Sequence, residues 1–266
     1  MIHEKGLSMK LTLIRNATLI LEFAGQKFLI DPFLAEKGAY PGFPNTLNSH
    51  LRNPLVELPV KVSTLIDADA VIVTHTHPDH WDEAAVNLLP KDKLIFVQND
   101  QDAESIRSSG FTNIQVLGVE TNFTGITLHK TGGQHGSDEA YAVPELAAIL
   151  GEVCGIVFSH PTEKTVYLAG DTLWNEHVTG ALKQYAPDVV ILNAGFAQVP
   201  PFGGIIMGKE DVGRTHDVVP YAKIVSVHME AVNHCALSRD ELREYIDANH
   251  LEQYVLVPED GESYTF

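Results

Sequence analysis

The chain has 266 residues, 44% of them hydrophobic and 20% charged, with a formal charge of −17 when histidines are neutral. That size suits one large domain or two fused half-domains with a substantial core, and the acidity argues against nucleic acid as a partner, because phosphate-backbone affinity rests on clustered Lys and Arg. Cys154 and Cys235 make no disulfide framework, no apolar run could cross a bilayer, and Met1-Ile2-His3-Glu4-Lys5-Gly6 does not resemble a signal peptide, so a cytoplasmic protein acting on a small molecule is expected, with self-association left open.

Along the chain, short strands are predicted over Lys10–Arg15, Thr18–Phe23 and Lys27–Ile30, with Asp31-Pro32-Phe33 ending the hairpin. Residues 34–63 are rich in Pro, Gly and Asn and lack a period, as expected of a functional loop over a site or of a plain surface insertion. Strand and helix then alternate. Ala70–Thr74 reads as a buried strand, Glu83–Leu89 as a short helix, Lys93–Gln98 as a strand and Gln101–Ser109 as a helix stopped by Gly110. Ile114–Leu117, Glu120–Phe123 and Ile126–Thr131 suggest strands, and Val153–Ser159 with Thr165–Ala169 a hairpin. Helices over Asn175–Tyr185, Lys209–Val218 and Arg239–His250 alternate with strands over Val189–Asn193, Lys223–Val227 and Tyr254–Val257. Two groups of strands with helices interspersed predict a layered sandwich with helices outside.

The densest chemistry follows the strand at Ala70–Thr74, where His75, His77, Asp79 and His80 fall within six residues. Imidazole and carboxylate donors suit zinc, manganese and iron, and alternating residues of an extended segment project to one side. The same pattern recurs elsewhere. Apolar runs deliver Asp31, His135, Asp171 and His228 at their ends, and glycines 132, 133, 136 and 170 beside them allow sharp turns and close approach. Ligands at the ends of buried strands are held rigidly and still face a cleft.

The combination of His75-x-His77-x-Asp79-His80, Gly133-Gln134-His135-Gly136, Gly170-Asp171-Thr172 and the late His228 resembles the metallo-β-lactamase-fold superfamily over nearly the whole chain. Together with Asp31-Pro32-Phe33-Leu34, it is most similar to the branch containing L-ascorbate-6-phosphate lactonase and N-acyl-phosphatidylethanolamine phospholipase D. The resemblance implies an α/β, four-layer αββα sandwich of two similar halves, with two divalent ions, zinc or manganese foremost and iron as a further candidate. It assigns His75, His77 and His135 to the first ion, Asp79, His80 and His228 to the second, and Asp171 to both. Asp31 matches an acid behind the ligands that orients an imidazole. Histidine at 77, where flavodiiron oxidoreductases of this fold carry Glu, speaks for hydrolysis over redox chemistry.

The implied activity is metal-dependent hydrolysis of a small polar or anionic molecule, with a lactone or cyclic ester favoured and Asp79 orienting the nucleophile and accepting its proton. A phosphodiesterase or nuclease, and a non-catalytic metal-binding protein, are the alternatives. Asn16 stands where lactonase-type relatives carry histidine and is read as a candidate substrate contact in its place. His234 is read as a substrate contact or an acid, with a helix-start feature as the alternative, and Phe202 and Met207 as apolar contacts or parts of a plain loop. Cys235 is read as packing.

Overall fold

The computed structural model describes residues 8–266, so the Met1–Gly6 stretch lies outside the described residues. Strands are numbered along the chain. β1 (Lys10–Arg15), β2 (Thr18–Phe23), β3 (Gln26–Ile30), β4 (Ala70–Val73), β5 (Ile95–Val97) and β6 (Ile114–Val116) lie in that order in one sheet, and β14 (Ser263–Thr265) returns to pair with β1 at its edge. β7 (Thr121–Phe123), β8 (Ile126–Thr131), β9 (Gly155–Ser159), β10 (Val166–Leu168), β11 (Val189–Asn193), β12 (Lys223–Val227) and β13 (Val255–Leu256) lie in order in the second.

The two sheets repeat one pairing scheme. β14, β1, β2 and β3 are successively antiparallel, and β3 to β6 are parallel. β7 to β10 are likewise antiparallel, and β10 to β13 parallel. The parallel strands read as continuous apolar runs because both their faces are covered: Val71, Ile72 and Val73 of β4 and Val190, Ile191 and Leu192 of β11 are fully buried.

Inner faces of both sheets meet in one core that includes Leu21, Phe28 and Ile72 from the first and Phe158, Leu168 and Val225 from the second. The outer face of the first sheet packs on α2 (Glu83–Leu88) and α3 (Asp100–Ser108) through Val71, Ala85 and Ile106. The outer face of the second packs on α6 (Glu176–Tyr185), α7 (Lys209–Val218) and α8 (Arg239–Ala248) through Leu182, Val212 and Leu242. The architecture is the expected αββα sandwich. Among the described residues no helix is long and apolar enough to cross a membrane.

Three short helices escape the sequence reading: α1 (Val62–Leu65), α4 (Asp138–Tyr141) and α5 (Pro144–Leu150). So does β14, whose three residues carry no periodic signal and are ordered by pairing with β1 across the length of the chain. Asn175 caps α6 by accepting from the His177 and Val178 amides, so the helix starts one residue later than predicted. The segment 34–63 is fixed at its base. Fully buried Arg15 donates to the carbonyls of Phe33, Ala35 and Val56 at 2.7, 2.8 and 3.0 Å. Asp82 accepts from the Leu34 and Ala35 amides at 3.0 and 2.8 Å while also capping α2.

Candidate metal centre

The ends of five strands converge on one cluster. In the first sheet β3 runs into Asp31, and β4 runs through Thr74 into the loop from His75 to His80. In the second, β8, β10 and β12 lead to His135, Asp171 and His228. Asn16, Asp31 and His228 take positive φ values of 58°, 45° and 66°, a conformation that non-glycine residues adopt rarely and that gathers at functional sites. Gly195 makes the crowding tolerable, since a Cβ there would overlap the His228 carbonyl oxygen. Gly170, at φ 72°, also leaves no room for a Cβ beside the Cys154 carbonyl and sets Asp171 beyond it.

One carboxylate oxygen lies among four imidazoles. Asp171 Oδ2 is 3.1 Å from His80 Nε2, 3.5 Å from His135 Nε2, 3.5 Å from His228 Nε2 and 3.9 Å from His75 Nε2. His75 Nε2 approaches His77 Nδ1 to 3.0 Å, and Asp79 Oδ2 lies 3.3 Å from His228 Nε2. Three overlapping groups could each hold a metal ion: His75, His77 and His135; His75, His80 and Asp171; and Asp79, His80 and His228.

Hydrogen bonds on the far side of each ring turn the remaining nitrogen inward. His77 Nε2–H donates to the Ile149 carbonyl at 2.7 Å, and His135 Nδ1–H to the Ile205 carbonyl at 2.9 Å. His80 Nδ1–H donates to Asp31 Oδ2 at 2.8 Å. The Thr74 hydroxyl also donates to Asp31 Oδ2, at 2.7 Å, which leaves its oxygen to accept from His75 Nδ1–H at 3.1 Å. Asp31 therefore orients His80 directly and His75 through Thr74. Asn193 Nδ2 donates to Asp171 Oδ1 at 2.7 Å, and Asn16 Nδ2 to Asp79 Oδ2 at 3.3 Å. Behind His228, Nδ1 and the Cys235 sulfur are 3.5 Å apart.

The charges are arranged as a cation site requires. Burial pulls His75 well below the usual imidazole range, and neighbouring imidazolium charge adds to it; burial takes His135 down to about 4, so both are neutral donors. Burial opposes charge on His80 too, but Asp171, Asp31 and Asp79 outweigh it and raise that ring to about 10. His228 is raised well above its usual range on the same balance, with Asp171 foremost among the opposing charges. Burial pushes Asp171 and Asp79 toward neutrality and loses to His80 and His228, so both carboxyls stay ionised. The protons on His80 and His228 occupy the inward positions that a divalent ion would take, and such an ion would release them. The donor set fits divalent metal.

Above the cluster lies a cavity of about 330 Å³. Phe43, Pro44, Leu146, Ile149, Val199 and Ile205 form its apolar wall, and His77, Asp79, His135, Asp171 and His234 reach it as polar groups. No lysine or arginine among the described residues lines it, so an anionic substrate finds no side-chain countercharge there. His234 is buried with its ring 4.8 Å from that of Phe43, and its Nδ1 has no hydrogen-bond partner among the described residues.

Three expected substrate contacts sit elsewhere. Met207 is fully buried in the core under the second sheet, Phe202 packs outside the cavity against the cluster containing Ile205, and Asn16 lies beneath Asp79 and His228. The loop holding Phe202 offers Val199 and Ile205 to the cavity instead. The sequence reading missed Asn193, although it ends an apolar strand just as Asp31 and His228 follow theirs. It also missed Asn233, whose side chain hydrogen-bonds residues 43, 46, 47 and 53 beside the cavity.

The family model described as Beta-lactamase superfamily domain matches residues 26–229, a span reaching from β3 to just past His228. The chain belongs to the beta-lactamase superfamily. Solved structures of the family include the isothiocyanate hydrolase from Delia radicum gut bacteria, 54% identical, covering 97% of this chain and 99% of that one with a TM-score of 0.96. The UPF0173 protein YddR of Bacillus subtilis (strain 168) is 50% identical over 97% of this chain and 100% of its own. A UPF0173 metal-dependent hydrolase of Korarchaeum cryptofilum (strain OPF8) is 24% identical over 96% and 98% of the two chains. With these relatives and this donor set, this superfamily member is a metal-dependent hydrolase.

Proposed function

We propose that this enzyme hydrolyses a small neutral electrophile carrying an apolar substituent, an isothiocyanate foremost, at a site for two divalent ions. The observation that carries the reading is the apolar cavity, free of lysine and arginine, ending on a carboxylate shared by four imidazoles. The 54% identity to an isothiocyanate hydrolase across almost the full chain supports the same substrate class. His75, His77 and His135 would hold one ion, Asp79, His80 and His228 the other, and Asp171 both. Bound there, the ions would supply water activated at neutral pH and positive charge against the developing anion.

The side chains do the rest. Asp79 lines the cavity and is held by the Asn16 amide, where it can accept the proton of the attacking water. The apolar wall takes up the organic substituent and keeps bulk water from the electrophilic carbon. His234, with its unpartnered Nδ1 in the wall, hydrogen-bonds the substrate heteroatom. For an isothiocyanate, the water oxygen bonds to the central carbon and both water protons end on nitrogen. The C–N bond then breaks with its electron pair leaving on nitrogen, so R–N=C=S and H2O give R–NH2 and COS.

The test pairs elemental analysis of gently purified protein with a panel of benzyl isothiocyanate, a γ-lactone and bis(p-nitrophenyl) phosphate. Amine release from the isothiocyanate by metal-loaded protein, absent in chelated protein, is expected. An inert isothiocyanate beside turnover of the lactone or the phosphodiester would reject the substrate assignment.

A further inference from the structure

The outer wall of the cavity comes from residues 43–46, at the tip of the 34–63 segment, and one side chain from the far end of the chain holds that tip. Asn233 is buried at 1% exposure and all its polar groups are used. Its Oδ1 accepts from the Phe43 amide at 2.9 Å and from Asn53 Nδ2 at 2.8 Å. Its Nδ2 donates to Thr46 Oγ1 at 2.9 Å and to the Leu47 carbonyl at 2.6 Å. Its backbone N–H donates to Asn53 Oδ1 at 2.9 Å, and Asn48 Nδ2 donates to its carbonyl at 3.4 Å. Arg15 and Asp82 fix the base of the same segment, but neither touches residues 43–46.

We propose that Asn233 is a positioning residue that sets the size limit of the substrate's apolar group by fixing Phe43 and Thr46 over the metal centre. The inference rests on the proposed reading of this cavity as the substrate site. A side chain with two donors and two acceptor sites, all satisfied by one loop, holds that loop in one place. Phe43 in turn packs its ring on His234, the residue next to Asn233, so wall and polar contact share one support. Loss of the amide releases four partners at once, and the wall then yields to bulkier groups. The metal cluster, braced separately by Asp31, Thr74 and Asn193, stays as it is.

The probe is a series of straight-chain alkanethiols, ethanethiol to octanethiol, whose sulfur binds the metal while the alkyl group enters the cavity. Calorimetry on metal-loaded wild type should show affinity rising with chain length and then failing. In Asn233→Ala the point of failure should move to longer chains, with octanethiol gaining about ten-fold relative to ethanethiol, the equivalent of one or two lost hydrogen bonds in the wall. Asn53→Ala removes the other end of the clamp away from His234 and should shift the profile the same way, keeping the test open where Asn233→Ala does not fold. The double variant should add little to either single one. An unchanged length profile in a folded variant overturns the proposal. A wild type that binds thiols but leaves isothiocyanates intact sinks the substrate reading and leaves the thiol profile to judge the clamp.

Discussion

The two sheets share one pairing scheme, yet they load their strand ends differently. In the register, Ile30 pairs with Ile72 as Leu168 pairs with Ile191, which makes Thr74 at the end of β4 the counterpart of Asn193 at the end of β11. Each hydrogen-bonds a carboxylate that follows the neighbouring strand, Thr74 to Asp31 and Asn193 to Asp171. Asp31 follows β3 directly and stays behind the imidazoles. Asp171 comes after Ala169 and Gly170, and those two added residues carry it in among the rings. One scaffold device thus braces imidazoles from behind in one half and places a carboxylate among them in the other.

The largest expected effect comes from Asp171, where that difference is concentrated. Replacing it with Ala removes the carboxylate oxygen that lies within 3.1–3.9 Å of His75, His80, His135 and His228, so activity should fall below about a thousandth and bound metal should drop. Wild-type activity and metal content in Asp171→Ala would break the distinction between the halves. Asp31→Asn tests the supporting counterpart. The imidazoles remain, but His80 and Thr74 lose a charged acceptor, and metal affinity or activity should fall about 10- to 100-fold, the range found for partners behind metal ligands. Titration with zinc against a chelating indicator reads the first, and steady-state turnover the second.

Asn193→Ala should have a smaller effect. It deletes one hydrogen bond to a charged group without removing charge, a loss of about 1.5 kcal/mol at the lower end for such bonds. About ten-fold lower turnover with metal retained is expected, and a loss exceeding that of Asp31→Asn would reverse the ranking of the two supports.

The same contrast explains what the sequence made legible. The first half places His75, His77, Asp79 and His80 on one loop, so their chemistry is visible as spacing. The second half scatters His135, Asp171 and His228 over three strand ends, and only the recurring apolar run before each marks them. The sandwich was legible because its parallel strands are continuous apolar stretches. Three-residue β14 and four-residue α4 were not, since elements that short owe their order to tertiary packing rather than to a periodic pattern. The clamps were least legible. Arg15 and Asn233 act through carbonyls and amides of a segment with no period, distant in sequence from Asn233. Phe202 and Met207 show the reverse: their apolar character suggested a pocket wall, and packing claimed them for the protein itself.

Asn16 is the most delicate test, because it joins the halves. Its carbonyl accepts from the His228 amide at 3.0 Å, and its side chain donates to Asp79 Oδ2 at 3.3 Å and to the Asp79 carbonyl at 3.2 Å. Its φ of 58° suits glycine, so Asn16→Gly removes the side chain while leaving the turn relaxed. The two long hydrogen bonds are worth about 0.5–1.5 kcal/mol together, so turnover should fall no more than about ten-fold, with metal retained. Asn16→Ala removes the same contacts and adds left-handed strain of about 1–2 kcal/mol, seen as a melting temperature about 2–8 °C below that of the glycine variant. If the glycine variant instead loses metal, the first half's turn holds the second half's His228 through the side chain as well as through the backbone. The division of labour between the halves would then be weaker than their ligand spacing suggests.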